Sequence, residues 1–199
     1  MKIKNFPFYK QPDTKDCGPT CLKIIAKHYG KTIPLQEIRN ISETTREGSS
    51  LLGLSDAAEN LGFRSLGVQI NFKTLVEEVP LPCIVHWNKQ HFVVVYDIVK
   101  SKKYNVKSTN TPDIVHYTIK ISDPSYGLIE YSQEEFIKSW IGENADESTE
   151  EGIALLLETT PAFFKNEFDE EESKASFSFL SKYLLKYKSL VLQLAIGLL

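Results

Sequence analysis

The chain has 199 residues, of which 42% are hydrophobic and 25% charged, and its formal net charge is −3. This length accommodates one domain with a full hydrophobic core and a short additional segment. The small negative charge gives no reason to expect nucleic-acid binding, and the N-terminus lacks the apolar run of a secretory signal. An odd number of cysteines, Cys17, Cys21 and Cys83, argues against a disulfide framework and for a reducing compartment.

Apolar residues at helical spacing follow an extended lead-in and predict three helices before the first clear strand. The predicted helices cover Cys17 to about Tyr29, residues 35–42 and residues 51–63. Gly30 and Gly62 are expected to end the first and third of them. We expect Cys21 to be a small core residue and His28, near the end of the first helix, to be structural.

The second half of the chain is rich in β-branched and aromatic residues, which favours a sheet. Predicted strands cover residues 63–70, 81–87, 91–100, 115–121, 127–132 and 152–160, with short helices at 72–79 and 133–140. The strands at 81–87 and 91–100 are expected to form an antiparallel pair, and the polar residues 101–112 to form a loop or long hairpin tip. Ser132 and Glu135 have the spacing of a helix capping box.

Cys17 stands just ahead of the first apolar run, in the stretch QPDTKDCGPTCL. Asp16 can serve as the N-cap, and Pro19 fits the first turn because its missing N–H costs little there. The N-terminus of a helix carries partial positive charge and unpaired N–H groups, which favour a thiolate, the nucleophilic form of cysteine. Cys17 and Cys21 share a helix face, but no second pair has zinc-ligand spacing, so we expect no metal site.

Two histidines compete as the base that would activate Cys17. His91 begins a predicted strand beside a turn, whereas His86 lies inside the preceding strand, and residue chemistry alone leaves both open. Asp123, in SDPSYG, could accept a hydrogen bond from the imidazole, but it also suits an Asx-type turn. His116 is expected to lie on the surface of a strand.

Three stretches, in this order along the chain, resemble motifs of the peptidase C39 family. QPDTKDCGPTCLKIIAKHYG resembles the nucleophile motif, LPCIVHWNKQHFVVVYDI the histidine motif, and ISDPSYGLIEYSQEEFIKSWIG the aspartate motif. Members of this family are papain-like cysteine proteases, usually found as the N-terminal domain of bacterial ABC transporters that cleave and export double-glycine leader peptides. The resemblance implies an α+β, papain-like fold in which N-terminal helices pack on an antiparallel β-sheet.

The resemblance also implies roles for individual residues. Cys17 would be the nucleophile, His91 rather than His86 its base, and Asp123 the group that orients His91. Gln11, which precedes Cys17 by six residues, would supply the oxyanion-hole amide. The substrate would be the double-glycine leader of a bacteriocin, lanthipeptide or signalling peptide, cut after a Gly-Gly or Gly-Ala pair. The peptidase itself would need no cofactor.

The resemblance further predicts how the chain is divided. Residues 1–160 would form the peptidase domain, residues 161–180 a linker, and residues 181–199 the start of a truncated transmembrane helix. The partners would be the membrane and nucleotide-binding domains of a full transporter, a homodimer on the cytoplasmic face of the bacterial cell membrane. ATP and Mg²⁺ would serve that transporter half, because this chain has no GxxxxGK[ST] motif.

Two alternatives remain open from the sequence. The chain could be a catalytically silent C39-like domain that binds and holds transporter cargo. It could also be another papain-like enzyme, such as a transglutaminase or acyltransferase, which would use the same three groups. The DCGPTCL context and the apolar run near the C-terminus weigh against the second alternative.

Overall fold

The computed structural model describes residues 6–45, 48–103, 114–142 and 151–166. Within these ranges a short 3-10 turn, Thr14–Asp16, precedes the first of the α-helices and strands. The helices are α1 (Cys17–His28), α2 (Leu35–Ile41), α3 (Leu51–Asn60), α4 (Phe72–Glu77), α5 (Gln133–Trp140) and α6 (Pro161–Lys165). The strands are β1 (Phe63–Ile70), β2 (Cys83–Trp87), β3 (His91–Lys103), β4 (Ile114–Asp123), β5 (Gly127–Ser132) and β6 (Gly152–Thr159).

The six strands form one antiparallel sheet in the order β1-β6-β2-β3-β4-β5. The sequence prediction of three helices followed by an antiparallel sheet is therefore confirmed, including the pairing of β2 with β3. β6, the last strand of the sheet along the chain, inserts between β1 and β2 and so connects the edge strand β1 to the other four strands.

The first three helices share a hydrophobic core with one face of the sheet. The inward side of α1 is fully buried, with Cys21, Leu22, Ile24 and Ile25 all at 0% exposure. The Cys21 thiol donates a hydrogen bond to the backbone carbonyl of Phe92, at 3.3 Å. This contact, together with the apolar packing, holds α1 against the beginning of β3.

A second hydrophobic cluster covers the opposite face of the sheet, where α4 and α5 pack. The predicted capping box is present at the start of α5, where the Ser132 side chain accepts from the Glu135 N–H and the Glu135 carboxylate accepts from the Ser132 N–H. Trp140 ends α5, and its indole N–H donates to the carbonyl of Ile153 at 3.0 Å. This bond ties α5 to β6.

The polar loop expected at residues 101–112 begins later than predicted. β3 continues to Lys103, which pairs with Ile114 at the start of β4. The prediction was wrong at this boundary because the paired backbone of β4 extends the strand through polar residues. Residues 104–113 and the acidic residues 143–150 lie outside the described residues.

The predicted linker begins at residue 161, and its first residues form α6. Phe163 of α6 is fully buried, with its ring centroid 4.4 Å from that of Phe63. Residues 167–199 lie outside the described residues. They include the rest of the predicted linker, its acidic segment 167–172, and the predicted start of a transmembrane helix. None of the helices described has the length and apolar character needed to cross a membrane.

Candidate active site

Cys17 is the first residue of α1 and is buried, with 6% of its surface exposed. The position is the predicted one, in the first turn of the helix, with Pro19 two residues later. Because α1 packs against β3, the N-terminal end of α1 lies beside the first residue of that strand, His91. A thiol and an imidazole that are 74 positions apart in the chain are thereby brought together.

His91 follows a tight turn, in which Asn88 and Lys89 adopt positive φ angles of 48° and 59°. Asp123 is the last residue of β4 and is 3% exposed. Its Oδ1 lies 2.9 Å from Nε2 of His91. Since a carboxylate only accepts, Nε2 carries the proton and Nδ1 is the ring nitrogen left for another partner.

The same Asp123 oxygen, Oδ1, accepts the backbone N–H of Ser125 at 2.7 Å. Asp123 therefore forms the Asx-type turn and also binds His91, so the two expected roles coexist. The turn keeps the carboxylate at the end of β4, and the imidazole binds the fixed oxygen.

Burial by itself lowers the pKa of His91, but hydrogen bonds to Asp123 and to the Cys17 thiol outweigh it and raise the pKa to about 9. At neutral pH the imidazole is therefore held as an imidazolium between a carboxylate and a thiol. Cys17, His91 and Asp123 form one chain of interacting side chains, in which the His91–Asp123 hydrogen bond is 2.9 Å long and Cys17 acts electrostatically on the imidazole. This arrangement suits nucleophilic catalysis, because the charge on His91 stabilises a thiolate.

His86 does not take part in this chain. Its ring stacks on Phe92, with centroids 4.9 Å apart, and its pKa is lowered by burial and by the neighbouring charge of His91. Among the described residues, His91 is the histidine that contacts both Cys17 and Asp123, and this geometry favours the prediction of His91 rather than His86 as the base.

Gln11 lies in the lead-in, whose backbone crosses to the turn after β4. Its N–H donates to the carbonyl of Pro124 at 2.9 Å. The side-chain oxygen Oε1 is buried and accepts no hydrogen bond from the described part of the chain. The lead-in is held further upstream by the ring of Phe6, which stacks on Tyr96 with centroids 4.3 Å apart.

Comparison with known proteins identifies the family of this chain. Residues 5–145 match the peptidase C39 family. The chain belongs to the peptidase C39 family. It is 32% identical over 185 residues to the lactococcin-G-processing and transport ATP-binding protein LagD of Lactococcus lactis subsp. lactis, covering 90% of this chain and 22% of that protein. The chain thus spans about a fifth of the length of this curated relative.

Two solved C39 structures have the same papain-like fold. One is a double glycine motif protease from an AMS/PCAT transporter in complex with the leader peptide, with a TM-score of 0.60 and 28% identity, covering 78% of this chain and 93% of that chain. The other is the peptidase domain of Streptococcus ComA, with a TM-score of 0.58 and 31% identity, covering 78% of this chain and 100% of that chain. The predicted α+β class, with helices packed on an antiparallel sheet, is confirmed.

The prediction that Asp16 is the N-cap of α1 is confirmed in position but was wrong about the side chain. Asp16 occupies the N-cap position of α1, but its side chain makes no capping hydrogen bond. Instead its carboxylate binds the guanidinium of Arg39 on α2, with Nε to Oδ1 at 2.7 Å and Nη2 to Oδ2 at 2.5 Å. The sequence did not indicate Arg39, because a charged residue in a short polar helix has no local signal for a buried partner.

The remaining histidines and cysteines have structural positions. His28 packs its ring on Phe6, with centroids 5.0 Å apart, and His116 is exposed on β4. Cys21 and Cys83 are fully buried. Across the ranges that the structure describes, His, Cys, Asp and Glu side chains form no group of three that could hold a metal ion.

Proposed function

We propose that this chain is a cysteine endopeptidase that removes the leader of double-glycine precursor peptides. The observation that carries the proposal is the position of His91 between Cys17 and Asp123, with a 2.9 Å hydrogen bond to Asp123 and a pKa of His91 raised to about 9. Family membership and the leader peptide bound by the related double glycine motif protease support the substrate class.

In the proposed mechanism His91 holds the Cys17 proton, and the thiolate attacks the carbonyl carbon of the second glycine, whose peptide bond to the next residue is the one cut. The new C–S bond forms as the carbonyl oxygen takes the negative charge. The N–H of Cys17 and the side-chain amide of Gln11 would bind this oxyanion, a contribution typically worth ~100–1000-fold in turnover per donor. Asp123 keeps the imidazole oriented and stabilises its charge.

The imidazolium of His91 then donates its proton to the leaving amine as the C–N bond breaks, which leaves a thioester on Cys17. Water attacks the thioester while His91 accepts a proton, and the freed leader carboxylate departs with the thiol restored. Every proton and bond in this scheme is handled by protein groups and water. The proposed reaction therefore requires no metal ion or organic cofactor.

We place the chain, in its intact form, as the peptidase domain of an ABC transporter that exports the cleaved peptide. The support is that curated relatives such as LagD are named as processing and transport ATP-binding proteins and are much longer than this chain. The proposed transporter is a homodimer with the peptidase on the cytoplasmic face of the cell membrane. ATP and Mg²⁺ would bind its nucleotide-binding domains.

The test is incubation of the chain with a synthetic double-glycine leader peptide carrying several cargo residues, read by mass spectrometry. Cleavage after the second glycine is expected in the wild type and in Cys83→Ala, which removes a buried thiol from the second hydrophobic cluster. Cys17→Ala should abolish cleavage and retain leader binding.

Two outcomes would overturn the proposal. Leader binding without cleavage by the wild type would mean a domain that only holds cargo. Transfer of the leader acyl group to an added amine, in place of hydrolysis, would mean an acyltransferase.

A further inference from the structure

The residue immediately before the nucleophile, Asp16, is buried and forms an ion pair with Arg39, whose side chain is partly exposed. Asp16 is 2% exposed, and both of its carboxylate oxygens accept hydrogen bonds from Arg39. Oδ2 also accepts the backbone N–H of Asp13 at 3.0 Å, which closes the 3-10 turn ahead of α1. Arg39 in turn donates from Nη1 to the side-chain oxygen of Gln36, at 3.2 Å, which fixes the guanidinium along α2.

This pairing directs the Asp16 carboxylate away from the helix that Asp16 precedes. An aspartate at the N-cap normally accepts the N–H of the second or third helical residue, and its negative charge offsets the positive end of the helix. In α1 those residues are Gly18 and Pro19, and Pro19 has no N–H. Asp16 makes no such bond. The partial positive charge at the N-terminus of α1 is therefore not offset by a capping carboxylate and can act on the Cys17 thiolate.

We propose that Arg39 is a positioning residue for Cys17, which holds the Asp16 carboxylate away from the first turn of α1. The backbone N–H groups and the positive end of the helix then remain available to the thiolate and to the oxyanion. This inference deepens the function proposed above and rests on it for the role of the oxyanion. The effect on the thiolate does not depend on peptide cleavage.

The proposal makes opposite predictions for the two partners of the pair. Without Arg39, the buried Asp16 carboxylate loses its ion pair and keeps the single hydrogen bond from the Asp13 N–H, beside the uncapped N-terminus of α1. It can turn to the Gly18 N–H, where its charge opposes the thiolate. Without the charge of Asp16, Arg39 remains positive and does not oppose the thiolate. If the Asp16–Arg39 pair were purely structural, both variants would be less stable. The reactivity of Cys17 would then not respond differently to the two substitutions.

Other charged groups near Cys17 are common to all the variants and do not affect the comparison. The first turn of α1 contains no acidic residue. His91 on β3 interacts with Cys17, and Asp123 on β4 binds His91. Arg39 on α2 binds Asp16, and the 3-10 turn also carries Lys15 and has Asp13 as its N-cap. Only the members of the Asp16–Arg39 pair are changed.

The experiment measures the rate at which iodoacetamide alkylates Cys17, as a function of pH, by mass spectrometry of the peptide that contains it. Cys21 and Cys83 are fully buried and serve as unreactive internal references. Arg39→Gln should move the acidic limb of the profile to higher pH by about one unit, roughly a tenfold slower reaction at a fixed pH on that limb. Asp16→Asn should not move it upward, and the double variant should return it towards the wild type.

A matched control is available on the surface. Arg64 pairs with Glu158 at 3.5 Å with both side chains largely exposed, near Tyr29 at the C-terminal end of α1. Arg64→Gln therefore removes an arginine from an ion pair at the opposite end of α1 from Cys17. Its alkylation profile should equal that of the wild type. If Arg39→Gln fails to fold, Arg39→Lys keeps the charge but loses the two-pronged geometry, and should give a smaller shift of the same sign.

Three results would overturn the inference: an unmoved acidic limb in Arg39→Gln, an equal upward shift in Asp16→Asn, or a double variant no better than Arg39→Gln. Cleavage of the leader peptide is measured separately on the same samples. A chain that shows the alkylation pattern and cleaves no peptide would refute the proposed function and leave the positioning role intact. Cleavage without the alkylation pattern would refute the positioning role alone.

Discussion

Replacing Asp123 by Asn isolates the charge of this residue from its geometry. Both hydrogen bonds of the Asp123 side chain, from His91 and from the Ser125 N–H, end on the same oxygen, Oδ1. An asparagine can keep both with its carbonyl oxygen, so the turn and the orientation of the imidazole should survive. The negative charge opposite the imidazolium is what the substitution removes.

The size of the expected pKa change follows from the His91–Asp123 hydrogen bond, whose acceptor becomes neutral in the variant. A hydrogen bond to a charged group contributes about 1.5–3 kcal/mol, against about 0.5–1.5 kcal/mol for a neutral one. The difference, about 1–1.5 kcal/mol, corresponds to roughly one pKa unit. The pKa of His91, about 9 in the wild type, should therefore fall by roughly one unit in Asp123→Asn.

The assay is the pH dependence of kcat/KM with a double-glycine leader peptide, together with an NMR titration of the His91 ring. The alkaline limb of the rate profile and the NMR midpoint should shift downwards together. Asp97→Asn is the matched control, because it removes a carboxylate from the same sheet that pairs with Lys120 at 3.0 Å and does not bind His91. An alkaline limb that stays in place in Asp123→Asn would refute the assignment of Asp123 as the electrostatic partner of His91.

Three further predictions concern stability, and urea unfolding tests each of them. Because the pKa of His91 is raised from 6.5 to about 9, its protonation adds up to about 3 kcal/mol to the free energy of unfolding; this stabilisation is fully present below pH 6.5 and is lost as pH rises through 9. His91→Gln should lack this pH-dependent stabilisation. An equal loss of stability with rising pH in that variant would contradict the assignment to His91. Gly152→Ala should destabilise by about 1–3 kcal/mol, since the new Cβ would lie 2.3 Å from the Trp140 ring, and an unchanged midpoint would argue against this close approach. Phe163→Ala should cost about 3–5 kcal/mol through the cavity it leaves, whereas a neutral effect would mean that α6 does not belong to the domain core.

Local sequence patterns predicted the secondary structure well. The apolar face of α1, the glycines at 30 and 62, and the Ser132–Glu135 capping box involve residues a few positions apart. Interactions at that range depend on the helix or strand itself, so their spacing is visible in the chain. The failures lie where a distant segment extends an element, as β4 does for the polar end of β3.

In the candidate site, too, the residue types could be predicted from the sequence but their contacts could not. Its residue types, a thiol ahead of a helix, a histidine at a strand start and an aspartate in a turn, are recognisable in the sequence. The choice of His91 over His86 required either a family resemblance or the structure, because both histidines flank the same turn. The packing of α1 on β3 favours His91, because it brings Cys17 to the first residue of that strand.

The sequence by itself determined the helices, the strands and the chemical groups available for catalysis, because periodicity and side-chain chemistry are local properties of the chain. Only the tertiary structure decided which groups meet. It inserted β6 between β1 and β2, buried Phe163 in the core, and paired Asp16 with Arg39, a residue 23 positions away. Such contacts depend on how whole elements pack, and the free energy of that packing is shared among many residues, so no single stretch of sequence encodes them.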